Sequence, residues 1–144
     1  SLNKTFMWAF NTGGAGVDMG GMLDIDNNSN IYLTGLFNGS NVDFDPSPSI
    51  SYLSANGMYD VFVAKYTKNG SYIWANSFGS TGDDIGWGVE TFDNSLIVTG
   101  EFKNTVNLIQ GQLYLISQVR VILMLLLYYL ILVVYFNVHL ILEE

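Results

Sequence analysis

Short apolar runs, separated by turns rich in Gly and Asn, fill the first 107 residues of the chain. Lys4–Asn11 and Ile31–Phe37 are rich in aromatic or β-branched residues, which predicts strands. Val61–Tyr66 and Tyr72–Phe78 are two further strand candidates, and the Asn-Gly pair at 69–70 between them is typical of a tight hairpin. The pattern therefore predicts an all-β fold made of short antiparallel strands.

Val42–Asp45 alternates apolar and acidic residues, so an extended chain points two carboxylates one way and two apolar side chains the other. Asp43 and Asp45 on one face have the chemistry to bind a cation or to act as an acid pair. We favour a simpler interpretation, in which the exposed charges protect an edge strand from unwanted pairing.

The pattern then restarts, because several motifs recur 64 to 66 residues later in the same order. The matched pairs are Trp8-Ala9 with Trp74-Ala75, Gly13 with Gly79, Asp18-Met19-Gly20 with Asp84-Ile85-Gly86, Thr34-Gly35 with Thr99-Gly100, and Val42-Asp43 with Val106-Asn107. Short strands at this period predict tandem four-stranded antiparallel sheets, the blades of a propeller. A single β-sandwich with accidental similarity is the alternative.

The repeat sets the expected domain boundaries. Residues 1–17 end a preceding blade, residues 18–83 form one full blade, and residues 84–107 open the next. Residues 108–144 form a tail of different composition, in which Arg120 and the two terminal glutamates are the only charged residues.

Charge and residue usage exclude several classes of function. Acidic residues outnumber basic ones by 13 to 5, which makes nucleic acid and anionic membranes poor partners. The chain has no cysteine, and its only histidine, His139, lies in the tail, so neither a thiolate site nor a Ser-His-Asp triad is expected. We predict that the protein is not an enzyme.

The motif order Trp-Ala, Gly-Gly, Asp-x-x-x-Asn-x-Tyr-x-Thr-Gly-x-Phe, Val-Asp-Phe-Asp-Pro and Asp-x-Phe-Val-Ala-Lys-Tyr resembles the bacterial β-propeller repeat of the SBBP type. The resemblance covers about residues 6–107. It implies tandem blades in a large exported or cell-surface protein, with an extracellular or cell-surface location and neighbouring blades as partners. The family has no established catalytic residues, which implies a scaffold or a binding surface.

Asp24, Asp26, Asn28 and Asn30 place oxygen-bearing side chains at every second position, and they are the candidate ligands of a calcium ion. In the alternative interpretation, Asp and Asn cap backbone groups at a strand end and its turn. Apart from calcium, no cofactor is expected.

Aromatic residues recur along the chain and allow two interpretations. An exposed row would stack on the rings of a glycan ligand, whereas their regular recurrence favours a core between blades. The residues concerned are Trp8, Tyr32, Phe37, Tyr66, Trp74 and Trp87.

The tail contains an apolar run at residues 121–136, whose only polar side-chain groups are tyrosine hydroxyls. Extended to Leu142 it is long enough to span a bilayer, which would make the protein a membrane-anchored surface module. A genuine apolar terminal strand or helix is a further alternative, and Leu and Met favour the helix.

A slipped reading frame is the interpretation of the tail that we favour. Where the blade pattern expects an acidic or amide residue and a proline, residues 108–113 read Leu-Ile-Gln-Gly-Gln-Leu. A shifted frame permits Asn-Pro-Gly-Thr-Ala there, although residues 127–129 do not permit the expected Ala-Lys-Tyr. On this hypothesis the tail is an out-of-frame continuation of the repeat, and its apolar character promotes aggregation.

Overall fold

The computed structural model describes residues 6–92, 95–101, 103, 120–127 and 130–133. Within these residues β-strands are the only regular secondary structure, which confirms the predicted all-β fold. The strands are β1 Met19–Ile25, β2 Ile31–Phe37, β3 Val42–Asp43, β4 Tyr52–Leu53, β5 Asp60–Tyr66, β6 Tyr72–Phe78, β7 Ile85–Phe92, β8 Ser95–Glu101, β9 Arg120–Leu127 and β10 Leu130–Val133.

The first sheet has four strands in the order β1-β2-β5-β6, all antiparallel to their neighbours. The β5–β6 hairpin closes at the predicted Asn-Gly pair, where Gly70 has a φ of 81° and Thr67 accepts its N–H. Gly tolerates this left-handed conformation at no steric cost. This sheet has the architecture expected of a propeller blade.

A small two-stranded arm, β3–β4, branches from the connection between β2 and β5. Val42 and Phe44 are buried and Asp43 is half-buried, which confirms the predicted alternation of this segment. The apolar side chains of the arm complete a core on one face of the first sheet. Its buried members are Phe37, Val42, Phe44, Phe62, Ala64 and Tyr66.

The second sheet, ordered β10-β9-β8-β7, lies against the opposite face of the first. β7 and β8 repeat the antiparallel hairpin that β1 and β2 form, but β9 pairs with β8 in the parallel direction. In the first sheet the corresponding pairing, between β2 and β5, is antiparallel. The blade pattern therefore breaks at the tail, whose described parts are strands and not the helix considered as an alternative. No described helix is long and apolar enough to cross a membrane.

A second core fills the space between the two sheets. Its buried residues are Tyr32, Val63, Val89, Leu96 and Val98, with Trp74 and Phe78 packed against them. β2, β5, β7 and β8 contribute its buried residues, so the first sheet buries apolar side chains on both faces.

The predicted strand at Lys4–Asn11 is wrong over its described part, because residues 6–11 have no strand conformation. Instead of pairing along a sheet edge, this segment crosses the first core, where Phe10 lies 4.9 Å from the ring of Tyr66. A single backbone bridge joins Gly13 to Asp43 of the arm.

Candidate functional site

Glycines bring the backbones of the two sheets together where β1 passes β7. A Cβ on Gly21 would lie 2.8 Å from the carbonyl oxygen of Gly86, and one on Gly86 would lie 2.8 Å from that of Gly35. Real side chains do not tolerate such distances, so only glycine permits this approach. The contact joins the first half of β1 to the start of β7, and we call this region the β1–β7 junction.

Asp24 closes the junction at its other end. Its Oδ2 accepts the backbone N–H of Thr91 at 2.6 Å and the hydroxyl of the same residue at 2.7 Å. These hydrogen bonds, with a further one from the backbone of Ile25, outweigh the effect of burial and hold the pKa of Asp24 below its usual value. An ionised carboxylate therefore links the two sheets near neutral pH.

Around the contact between Asp24 and Thr91, β1 and β7 leave a cleft of about 450 Å³. Its walls combine apolar side chains with two carboxylates and two smaller polar groups. The lining residues are Met22, Leu23, Asp24, Ile25, Asn27, Val89, Glu90 and Thr91. The cleft therefore offers both apolar surface and negative charge.

The structure brings two of the calcium candidates, Asp26 and Asn30, together and directs Asp24 to another partner. Asp24 is directed to Thr91, whereas Asp26 caps the turn between β1 and β2. Asp26 accepts the backbone N–H groups of Asn28 and Asn30 at 2.9 and 2.8 Å, and the side-chain amide of Asn30 at 2.9 Å. This geometry is the capping arrangement that the sequence offered as an alternative.

Lys65 adds a positive charge beside this turn. Its Nζ lies 3.5 Å from the Oδ2 of Asp26 and 4.7 Å from the ring centre of Tyr32. Burial acts to raise the pKa of Asp26, but the hydrogen bonds from Asn30 and Asn28 and the charge of Lys65 together lower it. The carboxylate thus already serves several donors of the protein itself.

Across the residues that the structure describes, no three His, Cys, Asp or Glu side chains are grouped so as to hold a metal ion. Calcium binding through Asp24, Asp26, Asn28 and Asn30 stays a prediction. Calcium titration calorimetry of the chain and of its Asp26→Asn variant is the test, and a heat that the substitution removes would support the site.

Two fully buried carboxylates lie at the opposite end of β7 from Thr91. Asp60 accepts the backbone N–H groups of Asn56 and Gly57, and Asp84 accepts those of Ser80 and Lys103. Burial raises the pKa of Asp60, and the nearby charge of Asp84 adds to that effect. Since each carboxylate caps backbone groups of a loop, both serve the fold.

Some of the recurring aromatic residues lie in the cores, whereas others are partly exposed to solvent. Tyr32, Phe37 and Tyr66 are almost completely buried, as the core interpretation predicted. Trp74 packs edge-on to Tyr32 in the core between the sheets. Trp8 and Trp87 are 37% and 51% exposed, so they do not form a continuous row with the others.

The sequence did not identify the cleft. Nothing in the spacing of Met22, Glu90 and Thr91 placed β1 beside β7. The useful signal was the recurrence of glycines at equivalent points of the repeat, since close backbone approach requires them.

Comparison with known proteins finds a relative that is described as a WD repeat-containing protein. An uncharacterized WD repeat-containing protein of Acanthamoeba polyphaga mimivirus is 27% identical to this chain over 138 residues. The alignment covers 83% of this chain and 10% of the relative, so the chain spans about a tenth of that protein's length. No protein-family model matches the chain, and no solved structure matches it.

The similarity does not depend on the dipeptide after which WD repeats are named, because this chain has no Trp-Asp pair. The relative is viral, and the bacterial SBBP type stays a prediction. The all-β sheets and this relative together support a β-propeller-like repeat.

Proposed function

We propose that the chain is a segment of a β-propeller array that acts as a non-catalytic scaffold and presents a binding surface to a protein partner. The observation that carries this proposal is the continuous apolar core between the two sheets, built from Tyr32 and Val63 on one side and Val89 and Leu96 on the other. Stacking of successive repeat units on such a core is how repeat proteins gain stability.

Matching local contacts in the two units support the same proposal. The backbone N–H of Gly14 donates to Asp18 at 2.7 Å, and 66 residues later that of Ser80 donates to Asp84 at 2.5 Å. Both units therefore begin with the same capped loop. In a blade array, such a loop fixes the entry of the chain into each first strand.

The finer assignment follows the resemblance of the motifs. We propose a bacterial repeat of the SBBP type in an exported or cell-surface protein, with neighbouring blades as its internal partners. Labelling of intact cells with a membrane-impermeant amine reagent tests the location. Modification of this chain in intact cells supports it, and modification only after lysis contradicts it.

Chemical cross-linking tests the stacking. The chain has no cysteine, so Asp24→Cys with Thr91→Cys gives one defined pair for a short bismaleimide reagent. The matched control pairs Asp24→Cys with Ile73→Cys, because β1 and β6 lie at opposite edges of one sheet, about 14 Å apart. Stacked sheets predict efficient bridging of the first pair alone. Equal bridging of both pairs, or of neither, would contradict the stacked arrangement.

The membrane-anchored module is a second candidate, favoured only by the apolar run at residues 121–136. Carbonate extraction of membranes separates the two. Release of the chain into the supernatant would exclude the membrane-anchored module, and retention in the membrane pellet would support it.

A further inference from the structure

We propose that the cleft of the β1–β7 junction binds an extended, positively charged peptide segment of the protein partner. This inference rests on the proposed scaffold function and assigns its binding surface. Three features of the junction favour such a peptide: the charge of the cleft, its apolar walls and the strand edges beside it.

The charge of the cleft is uniformly negative. Asp24 and Glu90 are the charged groups among its described lining residues, and Glu90 is exposed to solvent. The lysine close to this end of β1, Lys65, is paired with Asp26 and lies over Tyr32. A cationic side chain entering the cleft therefore meets two carboxylates and no competing cation on its walls.

The apolar walls suit the stem of such a side chain. Met22, Leu23 and Ile25 are 58%, 58% and 54% exposed, which is unusual for three large apolar residues in one short strand. Lys and Arg bury their methylene stems along apolar surface while the charged group remains near polar partners. Met22 also adapts its shape to different ligands, because its thioether chain is flexible.

The strand edges supply backbone partners. β1 and β7 are the edge strands of their two sheets, and each is paired with one neighbour only within the described residues. An extended peptide adds to such an edge through main-chain hydrogen bonds, and its alternate side chains enter adjacent pockets. A cleft of about 450 Å³ accommodates one or two of those side chains.

Fluorescence anisotropy with two labelled peptides tests this proposal on the full chain. One peptide alternates Lys and Val, and the other has Glu at every Lys position. We expect the basic peptide to bind, with an affinity that falls as salt is added, and the acidic peptide not to bind. Glu90→Gln should weaken binding up to about fivefold, as loss of one exposed charge pair does. Met22→Ser should weaken it further, since the apolar contact is lost.

Glu101→Gln is the matched control, because Glu101 is also exposed but lies on β8 outside the cleft. Binding should be unchanged in this variant. Equal loss in both glutamate variants, equal binding of the two peptides, or no binding of the basic peptide would each overturn the proposal. Self-association of the chain that Glu90→Gln abolishes would make a second copy the occupant and would also overturn it. The cross-linking of Asp24→Cys with Thr91→Cys is independent of peptide, so it shows separately whether the stacked scaffold itself is present.

Discussion

Replacing Gly35 with alanine perturbs the closest backbone packing in the first sheet. Gly35 is buried in β2, and an added Cβ would overlap the carbonyl oxygen of Met19, far inside the 3.4 Å at which ordinary contact begins. The same Cβ would lie 2.9 Å from Cε1 of Phe62 and 3.0 Å from the backbone nitrogen of Gly21. Two of these three obstacles are backbone atoms, so a change of rotamer does not relieve them.

Overpacking of a buried site costs about 1–3 kcal/mol, and obstacles in the backbone place this site near the upper end. For a chain of this length that cost corresponds to a fall in the melting temperature of about 6–12 °C. Gly20→Ala is the matched control in β1, because its Cβ would meet only Cδ1 of Leu33, at 3.8 Å. We expect that variant to stay within about 0.5 kcal/mol of the parent.

Thermal unfolding followed by circular dichroism measures both variants under one condition. Gly100→Ala, the repeat counterpart in β8, adds a second reading, since its Cβ would lie 2.7 Å from the carbonyl oxygen of Ile85. We expect Gly100→Ala to destabilise less than Gly35→Ala. If Gly35→Ala unfolds at the same temperature as Gly20→Ala, the recurring Thr-Gly pair of the repeat does not reflect close packing, which would refute this prediction.

Three other predictions concern the junction, the turn and the tail. A double-mutant cycle of Asp24→Ala and Thr91→Val should give a coupling of about 1–2 kcal/mol in urea unfolding, and a coupling near zero would contradict the hydrogen bonds between the sheets. The lowered pKa of Asp26 means that its contribution to stability is present above its unfolded pKa and is lost as pH falls through its folded pKa. Asp26→Asn should therefore be less stable than the parent at pH 7, and the difference should shrink below about pH 4; a constant difference in a pH series of unfolding curves would refute this. Resequencing of the coding DNA across residues 106–144 should reveal a second frame that continues with Asn-Pro-Gly-Thr-Ala, and stop codons in both other frames would make the apolar tail genuine.

Local signals in the sequence were sufficient for β2, β5 and β6 of the first sheet, whereas β1 was not predicted as a strand. The Asn-Gly pair at 69–70 specifies a turn that needs a positive φ, and the alternation of Val42–Asp45 specifies which side chains face the core. Both depend on residues close in sequence. The 66-residue recurrence predicted that a second blade opens at residue 84, and in the structure β7 and β8 pair antiparallel as β1 and β2 do.

Local sequence patterns did not predict the contacts between the two sheets. Asp24 and Thr91 are 67 residues apart, and their hydrogen bonds depend on how two separately formed sheets stack. The same limit explains the error at residues 6–11, where an aromatic-rich pattern predicted a strand. Strand propensity reflects packing on a half-buried surface, and this segment meets that condition by lying across a core without pairing in a sheet.

The hydrogen bonds from Thr91 to Asp24 also have a consequence for the order of units along the chain. At the positions one repeat away, Glu90 stands where the first unit has Asp24, and Ile25 stands where the second has Thr91. Ile25 offers a backbone N–H but no hydroxyl, so this paired contact cannot be formed identically at a preceding junction. Two units with nearly the same fold are therefore not interchangeable. The hydrogen bonds at a junction favour one particular neighbouring blade, and so they help to fix the order of the blades.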